Sequence, residues 1–188
     1  MDVGFRIGVS PADGVIARKL FPLQVIICAA PEYIVRHGAP DCLEALAAHR
    51  CSAFRSPGTG RLVPWRIKVD GDVVDYQVVP SLCVNDEAME TEAVLAGHVI
   101  GQLTAIACAS HVRSGRLVPL LTEHVVEQAS AFVYYGSRAA QPRRVRAFID
   151  LAVKRLAGNP VLVLSVQELA AARARSRDAV READIPRT

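Results

Sequence analysis

"FRSPGTGRLVPWRI", residues 54–67, sets two glycines and a proline between two apolar runs. Arg55 and Arg61 flank the turn, and the chain's only tryptophan, Trp65, follows it. Three roles compete for such a stretch: a phosphate-cradling loop, a catalytic loop, or one lip of a ligand cleft. The first calls for G-K-[ST] after the glycines, and this sequence continues with Arg61 and Leu62. The second calls for a nucleophile elbow, and Ser56 has no G-x-S-x-G around it. A turn between strands accounts for the local residues. What the turn serves must come from its surroundings.

Upstream, "CSAF" (51–54) predicts a strand. "DCLEALAAHR" (41–50) predicts a helix, with Asp41 as N-cap and Leu43, Leu46 and Ala47 on one face. "PEYIVRHG" (31–38) predicts another: Pro31 suits the first position, Glu32 the first turn and Gly38 the stop. "LQVIICAA" (23–30) reads as a buried strand, "VIARKL" (15–20) as a separate one, and "VGFRIG" (3–8) as a third that stops at Gly8. "SPADG" (10–14) is turn chemistry.

Downstream, "WRIKV" and "VVDYQVV" flank Asp70-Gly71-Asp72, a hairpin signal. "SLCVN" (81–85) predicts a strand, with Asn85 capping a helix from Asp86 to Ala96 and Gly97 ending it. "HVIGQL" (98–103) alternates as a strand, a short helix leads to "GRLVPLL" (115–121), and "AFVYYG" (131–136) is again a strand. Val145, Phe148, Ile149, Ala152, Val153 and Leu156 form one stripe, which predicts a helix between Pro142 and Gly158. Residues 159–188 are helix-prone with little apolar face, which predicts a partly solvated helix. Strands alternate with helices outside the central hairpin, so the plan is α/β.

The bulk properties bound the function. A chain of 188 residues suits one ordinary domain or two small lobes. Hydrophobic residues make up 51% and charged residues 22%, a globular balance. A net charge of +3 is too small to argue for nucleic acid. The five cysteines, Cys28, Cys42, Cys51, Cys83 and Cys108, form no C-x-x-C pair, so neither a zinc knuckle nor a redox motif is written. Their apolar settings fit a reducing cytoplasm. No signal peptide opens the chain, and the apolar window 93–109 is broken by His98, Gln102 and two glycines, so no membrane span is expected. The histidines at 37, 49, 98, 111 and 124 are isolated, and no cluster has metal spacing. No catalytic residue, metal or cofactor is therefore expected. The carboxylates at 86, 87, 90 and 92 read as compensation of a helix dipole. Trp65 reads as core, and Arg143, Arg144 and Arg146 as a solvent face.

Taken together, "DVGFRIG", "VIARKL-P", "CAAPEYIVRHGAP", "LAAHRC-AFRSPGTGRLVPWR", "VND", "AGHVIGQL", "SGRLVPLL" and "RVRAFIDLAVKRL" fall in one order over residues 2–156. That series resembles the effector-binding (substrate-binding) domain of LysR-type transcriptional regulators, without the N-terminal winged helix-turn-helix. The resemblance implies an α/β fold like the type II periplasmic binding proteins: two α/β lobes joined by crossover strands, here with the first lobe truncated at its N-terminus. Residues 1–21 and 122–157 would form the incomplete first lobe, 22–121 the second, and 158–188 a helix-prone tail.

The implied function is sensing of a small-molecule effector. The resemblance places Arg6, Ile7, Gly8, Ala30, Phe54, Arg55, Ser56, Val84, Asn85 and Gln102 at the cleft. Arg6 and Arg55 would give a carboxylate-bearing effector two cationic partners. Ala30 stands where many relatives carry serine, so a hydroxyl donor is lost there. The implied partners are that effector and a second copy or a full-length LysR-type relative. With no recognition helix, sequence-specific DNA binding by this chain alone is not expected. The alternative reading is a non-enzymatic interaction protein, a regulator remnant that pairs with full-length relatives. An enzyme on a related fold lacks a base–nucleophile pair, and a solute receptor for transport lacks a signal peptide.

Overall fold

The computed structural model describes residues 3–8, 16–136 and 142–183; the turn expected at 10–14 lies outside them. In chain order the elements are β1 (Val3–Gly8), β2 (Ile16–Ala29), α1 (Pro31–His37), β3 (Cys51–Arg55), β4 (Leu62–Val63), β5 (Trp65–Val69), β6 (Asp72–Tyr76), β7 (Pro80–Val84), α2 (Glu87–Leu95), β8 (Gly101–Thr104), α3 (Ala105–Arg113), β9 (Val118–Leu120), β10 (Val126–Tyr135), α4 (Arg143–Leu156) and α5 (Val166–Ala183). They form two compact units, Met1–Gln24 with Glu127–Val163, and Val25–Val126 with Leu164–Thr188. The chain passes from the first to the second inside β2 and returns at the start of β10. This is the two-lobed α/β plan with crossover strands.

In the first unit, β1 pairs antiparallel with β10, from Val3 opposite Tyr135 to Gly8 opposite Ser130, and β10 neighbours β2. α4 lays Val145, Ile149 and Ala152 on this sheet. Leu20, Phe21, Ala131 and Val133 form the core, with Val153 and Leu156 packed against them. Gly158 ends the helix region at φ +64°, and its N–H donates to the Leu20 carbonyl at 2.9 Å. Phe148 leaves the buried stripe. It is 47% exposed and lies edge-on to Phe5.

In the second unit, residues 25–29 of β2 pair antiparallel with β8 and β9. The side chains of β2 alternate between two cores, as the two-residue period of a strand requires. Ile26 and Cys28 join Val94, Leu103, Cys108 and Val112. Ile27 and Ala29 join Tyr33, Trp65, Ile67 and Leu121. A second sheet sets β3 between β4 and the parallel β7. β5 and β6 make the expected hairpin, with Asp70 and Gly71 both at positive φ, the geometry of a type I′ turn. The tail helix α5 is less solvated than its composition suggests: Leu169 and Ala172 are buried in the first of these cores.

Several expected boundaries move. "VIARKL" and "LQVIICAA" are one strand, β2, running through Pro22. Residues 16–24 have no β8 or β9 partner, so a missing N–H on that side removes no ladder bond. The helix expected at 41–50 is a 3-10 segment, Glu44–Ala48, without an Asp41 cap. A three-residue turn stacks Leu43 over Leu46, and Ala47 falls to solvent. Asp86 rather than Asn85 caps α2, accepting from the Met89 N–H at 2.9 Å. A carboxylate is the stronger acceptor at the positive end of a helix.

Candidate functional site

The parallel pair β3 and β7 ends with Phe54 directly opposite Val84. Chain exits from parallel strands gather loops and helix starts at one edge, the usual place for ligands in α/β folds. Here β3 leads into Arg55, Ser56 and the glycine loop, and β7 leads through Asn85 and Asp86 into α2. The end of β8 joins the same region. Glu87 on the first turn of α2 accepts from the Thr104 N–H at 3.1 Å, and Thr104 is the N-cap of α3. Two helix starts and three strand ends therefore share one end of the second unit.

The glycine loop at 56–61 closes on itself. The Ser56 N–H donates to the Arg61 carbonyl at 2.9 Å, and the Gly60 N–H to the Ser56 carbonyl at 2.8 Å. The Arg55 guanidinium donates to the Gly60 carbonyl at 2.8 Å and stays exposed. Gly60 adopts φ +66°, which favours glycine. Phe54 and Ser56 are half-buried beside it. Gln102 clamps the β5 backbone: its Oε1 accepts from the Arg66 N–H at 2.9 Å and its Nε2 donates to the Arg66 carbonyl at 2.7 Å.

Ala30 does not join this group. It is fully buried at the N-cap of α1, against Gly97 at the far end of α2. α2 rises about 13 Å over its nine residues, which separates Ala30 from the end that carries Asn85. The cause is direction. β8 is antiparallel to β2, and Ile100, just before β8, bridges parallel to Cys51. β2 therefore finishes beside the start of β3, not its end.

In the first unit the pleat divides the three residues of β1. Val3 packs with the α4 side chains and Phe5 touches Phe148, so Ile7 shares the α4 face. Arg6 and Gly8 lie on the other face, opposite Phe132 and Ser130. Tyr134, on that same face, holds a buried hydroxyl without a hydrogen-bond partner among the described residues. The alternation in "SAFVYY" is the sequence signal that could have placed Ser130, Phe132 and Tyr134 with Arg6.

Sequence reasoning also missed Ser52 and Glu90. The Ser52 hydroxyl donates to the Glu90 carboxylate at 2.5 Å, with both residues buried. Burial pushes the Glu90 carboxyl above its ordinary value, and the Ser52 hydrogen bond pulls it partly back. Trp65 is core as expected, and its indole N–H donates to the Ser52 carbonyl at 3.2 Å. Ser52 is fully buried, so this pair joins β3 to α2 and offers no nucleophile to solvent. Among the described residues no three His, Cys, Asp or Glu side chains gather to hold a metal ion. No described helix is long and apolar enough to cross a membrane.

Comparison with known proteins supplies the family. The model of the LysR substrate binding domain matches residues 1–157. The HTH-type transcriptional regulator CrgA of Neisseria meningitidis is 31% identical over 161 residues, 85% of this chain and 52% of that protein. DmlR of Escherichia coli, also an HTH-type transcriptional regulator, is 30% identical over 150 residues, 80% of this chain and 48% of its own. The solved regulatory domain of CrgA, a LysR-type transcriptional regulator, superposes with a TM-score of 0.70 at 30% identity, covering 82% of this chain and 75% of that one. The full-length virulence activator AphB of Vibrio cholerae gives 0.70 at 24% identity over 82% of this chain and 52% of its own, a likeness of fold. The chain spans about half the length of the curated relatives it matches. From residue 1 to residue 157 it belongs to the LysR substrate-binding domain family.

Proposed function

We propose that this chain senses a small-molecule effector on behalf of a LysR-type regulator, and that it is not an enzyme. The observation that carries the reading is the junction of Phe54 and Val84 at the ends of two parallel strands, with the starts of α2 and α3 beside them. Such a junction offers backbone donors, an aromatic side chain and one arginine, a set suited to a small polar ligand and short of any base–nucleophile pair. Arg55 favours an effector that carries a carboxylate. Ser56, Val84 and Asn85 line the same end, and Thr104 joins them as a further candidate. Arg6 rests on the family likeness and on its place beside Phe132. The lobes are taken to be residues 1–21 with 122–157, and 22–121. The relatives' role in transcription points to the cytoplasm as its compartment. The remnant reading, a chain that only pairs with longer relatives, explains the family but not this junction.

The test is thermal unfolding of the purified chain against a panel of small carboxylic acids and aromatic metabolites. A ligand that binds only the folded state at a hundred times its Kd adds about 2.7 kcal/mol. A saturable rise with one compound, lost in Phe54→Ala and Arg55→Ala, is the expected result. Cooperative unfolding that no compound shifts, together with a stable complex with a full-length relative, would support the remnant reading instead.

A further inference from the structure

The chain crosses between its two units three times, and the third crossing differs from the others. β2 and β10 carry it across as hydrogen-bonded neighbours in one sheet. Their passages are held level. Gln24, buried at the last first-unit position of β2, donates from its amide at 2.8 Å to the carboxylate of Glu127, the first such position of β10. The third crossing is not a strand. It is the link from the end of α4 to the start of α5, and it passes from one unit to the other between Val163 and Leu164. It lies beyond the residues that match the family.

Both sides of this link are fastened. In the first unit the Gly158 N–H holds the Leu20 carbonyl, and Leu162 packs against the core of Leu20, Phe21, Ala131 and Val133. A 3-10 turn at Pro160–Leu162 stiffens the stretch between them, capped by Asn159, whose carboxamide oxygen accepts from the Val161 N–H at 3.0 Å. In the second unit Leu164, 2% exposed, enters the core that also takes Leu169 and Ala172 of α5. A capping box then starts the helix. The Ser165 N–H donates to the Glu168 carboxylate at 2.8 Å, and the Glu168 N–H donates to the Ser165 hydroxyl at 3.2 Å. The two leucine anchors stand two residue steps apart, a reach of at most about 7 Å. Val163 between them is already extended, at φ −138° and ψ 158°. The link has no slack.

Its position matters as much as its length. Leu164 shares a core with Ile26 and Cys28, whereas Ile27 and Ala29 point to the opposite side of β2. The second anchor therefore stands off the plane of the sheet that carries the two strand passages. Two strands side by side bend most readily about a line across both of them. A taut link off that line resists the bend.

We propose that residues 157–165, drawn taut between Leu162 and Leu164, form a strap that restrains reorientation of the two units, with α5 as its clamp on the second. Where the chain senses an effector, as proposed above, any lobe movement in response works against this strap.

The test needs no effector, so its failure is separate from a failure to find a ligand. The whole chain carries Cys83→Ser and Lys154→Cys. Spin labels then go to the new thiol on α4 and to the native, exposed Cys42, while Cys28, Cys51 and Cys108 are buried. Double electron–electron resonance reads the spread of distances between the labels, and a narrow spread is expected. Inserting Gly-Ser-Gly-Ser between Val163 and Leu164 adds slack of about 11 Å and should widen the spread about twofold. Hydrogen exchange should find α5 as protected as before, because Leu169 and Ala172 keep their core. Leu162→Ser keeps the chain length, releases the first anchor and should widen the spread as well. A spread that neither variant widens would overturn the proposal. So would loss of α5 protection in the insertion variant, which would make the clamp depend on the link and not on the core beneath it.

Discussion

The hydroxyl of Ser52 and the carboxylate of Glu90 meet at 2.5 Å inside the second unit, where β3 passes under α2. Ser52 is engaged at every polar atom. Its N–H donates to the Ile100 carbonyl and its carbonyl accepts from Trp65. A buried acidic contact therefore adds to the backbone bonds that hold the strand whose end carries Phe54.

Glu90 should make the folded state pH-sensitive in an unusual sense. Its carboxyl is raised above 4.5, first by burial and then by the nearby charge of Glu87, against the pull of Ser52. Between 4.5 and the raised value the folded chain holds a proton that the unfolded chain has released. Stability from this group therefore falls as pH rises through that window. Glu90→Gln should flatten that part of the profile. Ser52→Ala leaves the carboxylate without its donor, should cost about 1–3 kcal/mol, and should extend the falling limb to higher pH. Denaturant titrations at a series of pH values read all three.

Gly101 should tolerate no side chain. A Cβ there would stand 2.6 Å from Val94 Cγ2 and 3.0 Å from Ser52 Oγ. Gly101→Ala should destabilise by about 1–3 kcal/mol through overpacking. Val94→Ala in the same chain removes the first clash, so the double variant should lose less than the sum of the singles. Additive losses in a denaturation cycle would show that the clash is relieved elsewhere.

What the sequence made legible was local. The hairpin at Asp70-Gly71 and the caps at Pro31 and Gly38 depend on neighbours a few residues away, and they stand where expected. The two strands expected at 15–20 and 23–30 are one, because the effect of Pro22 between them depends on which side of β2 is paired. Ala30 is a sharper case. Its place at a helix start was correct, but its distance from Phe54 follows from β2 and β3 running in opposite directions, and no short-range pattern encodes that. Glu90 sits in an acidic run that reads as compensation of a helix dipole, and its burial against Ser52 of another strand is not written in that run. The family resemblance supplied the order of the segments; the pleat of β1, which sends Ile7 and Arg6 to opposite faces, came from packing.

The His49 ring should set a second pH dependence, with the opposite sign. Its Nδ1 lies 3.1 Å from the Tyr33 hydroxyl, which also accepts from the Arg50 N–H at 3.0 Å. Burial, and then the nearby His37, lower its pKa from 6.5. Below 6.5 the unfolded chain gains a proton before the folded chain does, so stability from this group is full above 6.5 and declines as pH falls toward the lowered value. His49→Gln should remove the decline. Tyr33→Phe strands the Arg50 N–H and should cost about 1–3 kcal/mol. A stability profile that His49→Gln leaves unchanged between pH 5 and 7 would assign the titration elsewhere.

The last contact to test is the one that fastens the tail. Glu168, near the start of α5, takes a hydrogen bond from Arg113 Nε at 2.8 Å, and its carboxyl is drawn down to about 2 by that guanidinium and by the Ser165 N–H. A depressed carboxyl stabilises above its unfolded value near 4.5 and loses that contribution as pH falls toward 2. The pair is largely solvent-exposed, so Glu168→Gln should cost less than about 1 kcal/mol. Leu169, one residue on, is 4% exposed in the core with Cys108 and Val112. Leu169→Ala should cost about 2–5 kcal/mol. If α5 belongs to the second unit by packing and not by charge, hydrogen exchange will show the two variants parting: amides of α5 and α3 lose protection together in Leu169→Ala and keep it in Glu168→Gln. Equal loss in both would make the Arg113–Glu168 pair the true fastening.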